Sequence, residues 1–167
     1  MSVWKLERGT VEPSTYTKIS PTGLLYVGLG QQAGTLIVKG GEEEDVLGSA
    51  TVTVQVENVT TNPVNILADN SNTGSRQCEI LVGTRKVEGG NWSLEKTHST
   101  EIASDTTISS SGLLSWSRKQ QSGQIAIKFE KDGVVKKIPV VFKKTVITIS
   151  PKTVNLKNGQ SQQFSIA

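Results

Sequence analysis

One short pattern stands in this chain twice, and a chain that repeats its sequence repeats its fold. Ile19-Ser20-Pro21-Thr22-Gly23-Leu24-Leu25 returns as Ile108-Ser109-Ser110-Ser111-Gly112-Leu113-Leu114, 89 positions on. Trp4-Lys5-Leu6-Glu7 returns as Trp92-Ser93-Leu94-Glu95 at an offset of 88. Gly34-Thr35-Leu36-Ile37-Val38-Lys39 returns as Gly123-Gln124-Ile125-Ala126-Ile127-Lys128, again at 89. Three blocks in one order at nearly one spacing define a module of about 88 residues, long enough to bury its own core.

Between these blocks the period is that of strands. Ala50-Thr51-Val52-Thr53-Val54-Gln55-Val56, Gln124-Ile125-Ala126-Ile127-Lys128-Phe129 and Ile138-Pro139-Val140-Val141-Phe142 are short β-branched runs with period-two alternation. Gly, Asn, Asp and Ser punctuate them. Lys131-Asp132-Gly133-Val134 predicts a tight hairpin, because Asp-Gly tolerates the positive φ angles of a two-residue turn. The fold class expected is all-β, with sandwich modules in tandem.

The repeats do not fall evenly on the chain. Residues 58–144 read as one complete module. Residues 1–57 begin at the Trp strand and read as the C-terminal part of a module. Residues 145–167 restart the pattern, since Thr153-Val154-Asn155-Leu156 parallels Pro63-Val64-Asn65-Ile66, and Gln163-Phe164-Ser165-Ile166 parallels Gln77-Cys78-Glu79-Ile80. They carry roughly the strands that residues 1–57 lack. The expectation is that they fill that gap, in the same chain or in a neighbouring one, as in strand addition; the rival is a chain cut without regard to domain edges.

Charge and cysteine usage narrow the function classes. The net charge is +3 with scattered Lys and Arg, which predicts no nucleic-acid partner. No apolar run approaches the length of a membrane helix, so no membrane insertion is expected. Met1-Ser2-Val3-Trp4-Lys5-Leu6-Glu7 lacks the basic and apolar segments of a signal peptide. An exterior location is then expected by another route, such as assembly into a virus particle inside the host. Cys78 is the single cysteine and cannot form an intrachain disulfide.

Residues 146–164 combine a strand, Ser150-Pro151, a second short strand, Gly159-Gln160 and Gln163-Phe164. That order resembles the opening of a bacterial immunoglobulin-like repeat of the Big-2 type. The Trp-x-Leu strand, Ile-Ser-x-x-Gly-Leu-Leu and Ala50-Thr51-Val52-Thr53-Val54 are similar to later parts of the same family. Lys136–Phe142 and Asn65–Asp69 look more like modules of phage tail and fibre proteins. The resemblance implies immunoglobulin-like sandwiches used as spacers, adhesive modules or virion parts. The function expected is therefore non-catalytic and structural: a bacteriophage virion component (tail, fibre or capsid decoration), located in the virion. Its partners would be copies of itself, other virion subunits and possible host-surface glycan. The alternatives are a fragment of a bacterial cell-surface adhesin, at the cell surface or extracellular, and a carbohydrate-binding module.

Several residues invite a chemical reading and are better explained without one. Asp69-Asn70-Ser71-Asn72-Thr73-Gly74 has a partial calcium-loop look, but Ile80 stands where the bidentate Glu belongs, and turn residues make such strings often. Glu42-Glu43-Glu44-Asp45 reads as a solvated hairpin tip that discourages edge pairing. His98 is the single histidine, and a hydrolytic set would have to join it to Asp105 or Glu101 and a serine without any recognisable motif. Cys78 aligns with Phe164 and is expected in the core; Trp4 and Trp92 are both expected to fill sandwich cores. Trp116, beside Arg118 and Lys119, is the one candidate sugar contact, although a packed strand residue is the plainer reading. No catalytic, cofactor-binding or metal residue is predicted, and no cofactor.

Overall fold

Alternating runs place every second side chain on one face, so each run becomes a strand with one face to bury. The computed structural model describes residues 2–43 and 45–166, and within them the chain forms strands and no helix. In chain order these are β1 (Ser2–Arg8), β2 (Lys18–Ile19), β3 (Leu25–Tyr26), β4 (Gly34–Glu42) and β5 (Asp45–Val54). Then come β6 (Val59–Asn62), β7 (Ile66–Asp69), β8 (Gly74–Gln77), β9 (Glu79–Val82) and β10 (Arg85–Lys86). They are followed by β11 (Asn91–Glu95), β12 (Thr107–Ile108), β13 (Leu113–Trp116), β14 (Gly123–Lys131) and β15 (Val134–Lys143). The last two are β16 (Ile149–Ser150) and β17 (Ser165–Ile166).

Strands β6 to β15 make an immunoglobulin-like sandwich. One face is the sheet β11-β14-β15-β7, in which β7 runs parallel to β15 and the other pairs are antiparallel. The other face is built from β12-β13-β8 and β10-β9-β6. The core between them holds Ile66, Ala68, Cys78, Leu114, Trp116, Ile125, Ile127, Ile138, Val140 and Phe142, all at most 8% exposed. Trp92 packs on Phe129 with ring centroids 4.9 Å apart, and Trp116 meets Phe142 edge-on at 6.0 Å. The turn expected at Asp132-Gly133 is there, with φ of 53° and 75°.

The first five strands copy the last five of this sandwich in order. β1-β4-β5 matches β11-β14-β15, and β2-β3 matches β12-β13. The registers agree as well: Leu6↔Val38 and Val38↔Ala50 match Leu94↔Ile127 and Ile127↔Ile138. Gly23 and Gly112 occupy the same left-handed conformation, φ +85° and +87°, each under the indole ring of its Trp. A side chain there would strike the ring and force an unfavourable φ, so only glycine fits. The described residues start at β1, and Met1 lies outside them.

At the C-terminus β16 pairs with β17, Ile149↔Ile166 and Ser150↔Ser165. These pairs repeat Thr61↔Ile80 and Asn62↔Glu79 of β6 and β9. The prolines that follow, Pro63 and Pro151, are both preceded by cis peptide bonds.

Candidate assembly interface

The two copies of one register differ in what covers them. In the middle sandwich, β15 has β14 on one side and β7 on the other; its counterpart β5 pairs with β4 alone. Likewise β13 lies between β12 and β8, whereas β3 pairs with β2 alone. Among the described residues two backbone edges are therefore open, each with N–H and C=O groups that can template another strand.

The side chains between those edges are covered at one end and open at the other. Leu36 and Val54 are buried, but Val38 is only partly so and Asp45–Ala50 are exposed throughout. Trp4, expected in a core, is 38% exposed. The reason is what faces it. Trp92 packs tilted against Phe129, but the residue opposite Trp4 is Gly40, so the Trp4 ring rests on Gly40 and Gly23 without an aromatic partner there. Trp4, Val38, Gly40, Leu47 and Ala50 line one shallow apolar depression. Leu24, at the β3 edge, is 73% exposed. Residues 146–166 are also open, and Val146, Ile147, Leu156, Phe164 and Ile166 are exposed apolar side chains. Exposed apolar surface of this kind is a general feature of interaction surfaces.

The N-terminal strands dock on the middle sandwich through its hairpin tip. The Tyr26 hydroxyl donates to Asp132 Oδ2 at 2.6 Å, and the Leu29 amide donates to the same oxygen at 3.0 Å. The Lys131 ammonium stands 5.8 Å from the centre of the Tyr26 ring. Burial, then the hydrogen bond to Asp132, then the charge of Asp132 raise the Tyr26 pKa to about 12. Sequence reading missed this joint, because its two sides are 106 residues apart.

A second feature that reading missed is a pair of buried glutamines. Gln120 Oε1 accepts from the Ala103 amide and the Thr106 hydroxyl, and its Nε2 donates to the Glu101 carbonyl at 2.9 Å. Gln31 repeats the brace with the Ser14 amide and the Glu12 carbonyl. The signal was present, since Gln31-Gln32-Ala33-Gly34 precedes the repeated strand as Gln120-Gln121-Ser122-Gly123 does.

The residues weighed for chemistry are dispersed. Asp69 forms an Asx turn with the Ser71 amide at 2.9 Å and accepts from the Thr145 hydroxyl at 2.6 Å. The Thr145 hydrogen bond, then those of Ser71, lower the Asp69 pKa to about 2. Asn70 is buried against the Gln120 carbonyl, so the loop fastens the start of the C-terminal segment. His98 Nδ1 contacts the neighbouring Thr97 hydroxyl, Asp105 accepts from Ser117, and Glu101 pairs with Lys96. The candidate hydrolytic set is thus not assembled. Cys78 is buried, and burial pushes its thiol up to about 11. Trp116 is 8% exposed and donates its indole N–H to the Asp69 carbonyl, so it offers no ring to a sugar. In the acidic tip, Glu42 opposes Asp45 and Glu43 has φ 54°; Glu44 lies outside the described residues. Among the described residues no cluster of three or more His, Cys, Asp or Glu is placed to hold a metal, and no helix is long and apolar enough to cross a membrane.

No family profile and no curated protein matches the chain. Solved structures that it resembles include the crystal structure of the S-layer protein SbsC domains 4 and 5, at 16% identity and a TM-score of 0.34. That likeness covers 84% of this chain and 70% of the other. SbsC domains 1–6 match at 13% identity and a TM-score of 0.36, over 99% of this chain and 28% of that one. SbsC domains 4–9 match at 17% identity and a TM-score of 0.36, over 88% of this chain and 23% of that one. The chain thus spans well under a third of the two longer structures.

Proposed function

We propose that this chain is a non-catalytic structural protein that self-associates through an incomplete sandwich. The observation that supports this is the contrast between two copies of one strand register, one covered by a second sheet and one open from Trp4 and Gly40 to Ala50. An uncovered apolar face flanked by open strand edges is unfavourable alone and favourable once another surface covers it. The role is assembly, with no turnover.

The setting proposed is an exterior one, and two are kept: a bacterial outer surface and a phage particle. Likeness to surface-layer domains at TM-scores of 0.34 to 0.36 carries no weight between them. Antibody labelling of intact host cells and of purified virions separates the two. The carbohydrate-binding alternative is not pursued, because its anchor, Trp116, is packed inside. The Big-2 relationship stays a proposal, to be tested by aligning homologues across the repeated blocks.

Light scattering over a dilution series tests the self-association reading. Average mass is expected to rise with concentration. A strict monomer at every concentration would overturn it.

A further inference from the structure

We propose that the occupant of the bare N-terminal face is the segment Pro151–Ile166 of a second copy, in the register that β7, β8 and β9 hold in the middle sandwich. This inference rests on the self-association reading and adds to it the partner segment and its alignment.

The register follows from the repeat. In the middle sandwich β7 lies parallel to β15, with Val140↔Ile66, Val141↔Leu67 and Phe142↔Ala68. Strand β16 repeats β6 at an offset of 88, Ile149 for Thr61 and Ser150 for Asn62, which corrects by two residues the offset of 90 expected from Val154 and Val64. Carried to the positions so matched, β5 pairs with the segment as Val52↔Val154, Thr53↔Asn155 and Val54↔Leu156. Strand β8 lies antiparallel to β13, with Leu113↔Gln77 and Leu114↔Arg76. The matched pairs are Leu24↔Gln163 and Leu25↔Gln162. The Cys78 amide donates to the Gly112 carbonyl at 2.8 Å, and the matched bond joins Phe164 to Gly23.

Side-chain pattern supports this alignment independently. Ile66, Ala68, Cys78 and Ile80 point inward and are buried, whereas Leu67 between them is exposed. The corresponding residues are Val154, Leu156, Phe164 and Ile166, all apolar, and the polar Asn155 takes the outward position. Sizes also compensate. The middle core sets a large Phe142 beside a small Ala68; the proposed pair sets a smaller Val54 beside a larger Leu156. Gly40 and Val27 stand where Phe129 and Trp116 stand in the middle sandwich, and Phe164 replaces the small Cys78. The segment is larger where the face is hollower, as close packing requires.

Geometry favours a second copy over closure within one chain. The joint with the N-terminal strands lies at the Asp132 end of β15, whereas Thr145 is held to Asp69 and Ser71 at the other end. With 10 residues, β15 separates those ends by roughly 30 Å. Residues 145–154 reach about as far only if fully extended, but Ile149 and Ser150 are already paired with β17.

Engineered disulfides test the register. Thr53 and Asn155 are both exposed and face outward, and directly opposed Cα atoms in adjacent strands lie within disulfide range. Full-length chains carrying Thr53→Cys and Asn155→Cys are mixed, oxidised mildly and separated without reductant; Cys78 is buried in both. A covalent heterodimer is expected, and Lys157→Cys in place of Asn155→Cys, two residues out of register, is expected to give far less. Leu156→Asp, an exposed position whose loss leaves the middle sandwich intact, is expected to abolish the cross-link. Equal yields from the two cysteine positions would overturn the register. So would mass that rises with concentration without any cross-link, a result that leaves self-association standing. Both cysteines in one chain closing only on themselves would overturn the second copy as donor. No cross-link together with monomer at all concentrations would overturn both readings.

Discussion

Gln120 shows how much a single polar side chain holds here. It is fully buried and satisfies the Ala103 amide, the Thr106 hydroxyl and the Glu101 carbonyl at once. Truncation strands those groups away from water, at about 1–3 kcal/mol for an unsatisfied group. Gln120→Ala is expected to lower unfolding free energy by about 3 kcal/mol in a urea titration. Tyr26 gives a pH signature of the joint. Its pKa, raised from 10.0 to about 12, means that the folded state holds the phenolic proton more tightly than the unfolded state. Stability from this group is full below pH 10 and falls as pH rises towards 12. The ultraviolet titration of native protein, minus that of Tyr26→Phe, is expected to place ionisation near pH 12. Asp132→Asn, which tolerates the positive φ, is expected to bring it part of the way down. Asp69 works in the opposite sense. Its pKa, lowered from 3.8 to about 2, favours the folded contact above pH 4, and that contribution is lost as pH falls towards 2. Asp69→Ala releases Thr145, so trypsin is expected to cut after Lys143 and Lys144 faster, with the middle sandwich still folded.

At the scale of strands, much was legible in the sequence and its failures have physical causes. Repeat offsets and alternation located the strands, and Asp132-Gly133 located its turn, because these are local signals. Cys78 reads as core and is core. Trp4 reads as core by alignment with Trp92 and is not, since burial depends on what lies opposite, and Gly40 has replaced Phe129. The Tyr26–Asp132 contact carries no local signal at all. Matched positions give a direct test of the difference. Ile127→Ala, in the covered sheet, is expected to cost about 3 kcal/mol; Val38→Ala, its counterpart in the bare sheet, about 1 kcal/mol or less in dilute solution. Equal costs in chemical denaturation would mean that the two sheets are equally buried.

Over the whole molecule, one covered sandwich separates a partly open sheet from an exposed C-terminal segment, the two surfaces that the proposed exchange joins. Each copy then has two different ends, and joining them head to tail gives a contact that does not close on itself unless the rotation closes a ring. Self-association of this kind covers the N-terminal sheet. Amide hydrogen exchange across β3 and β5 reads this directly, at low and at high protein concentration. Leu25–Tyr26 and Thr51–Val54 are expected to become protected as concentration rises, Leu156→Asp to remove this gain, and β14 and β15 to be protected throughout. Exchange in β3 and β5 that stays the same at every concentration would contradict that coverage.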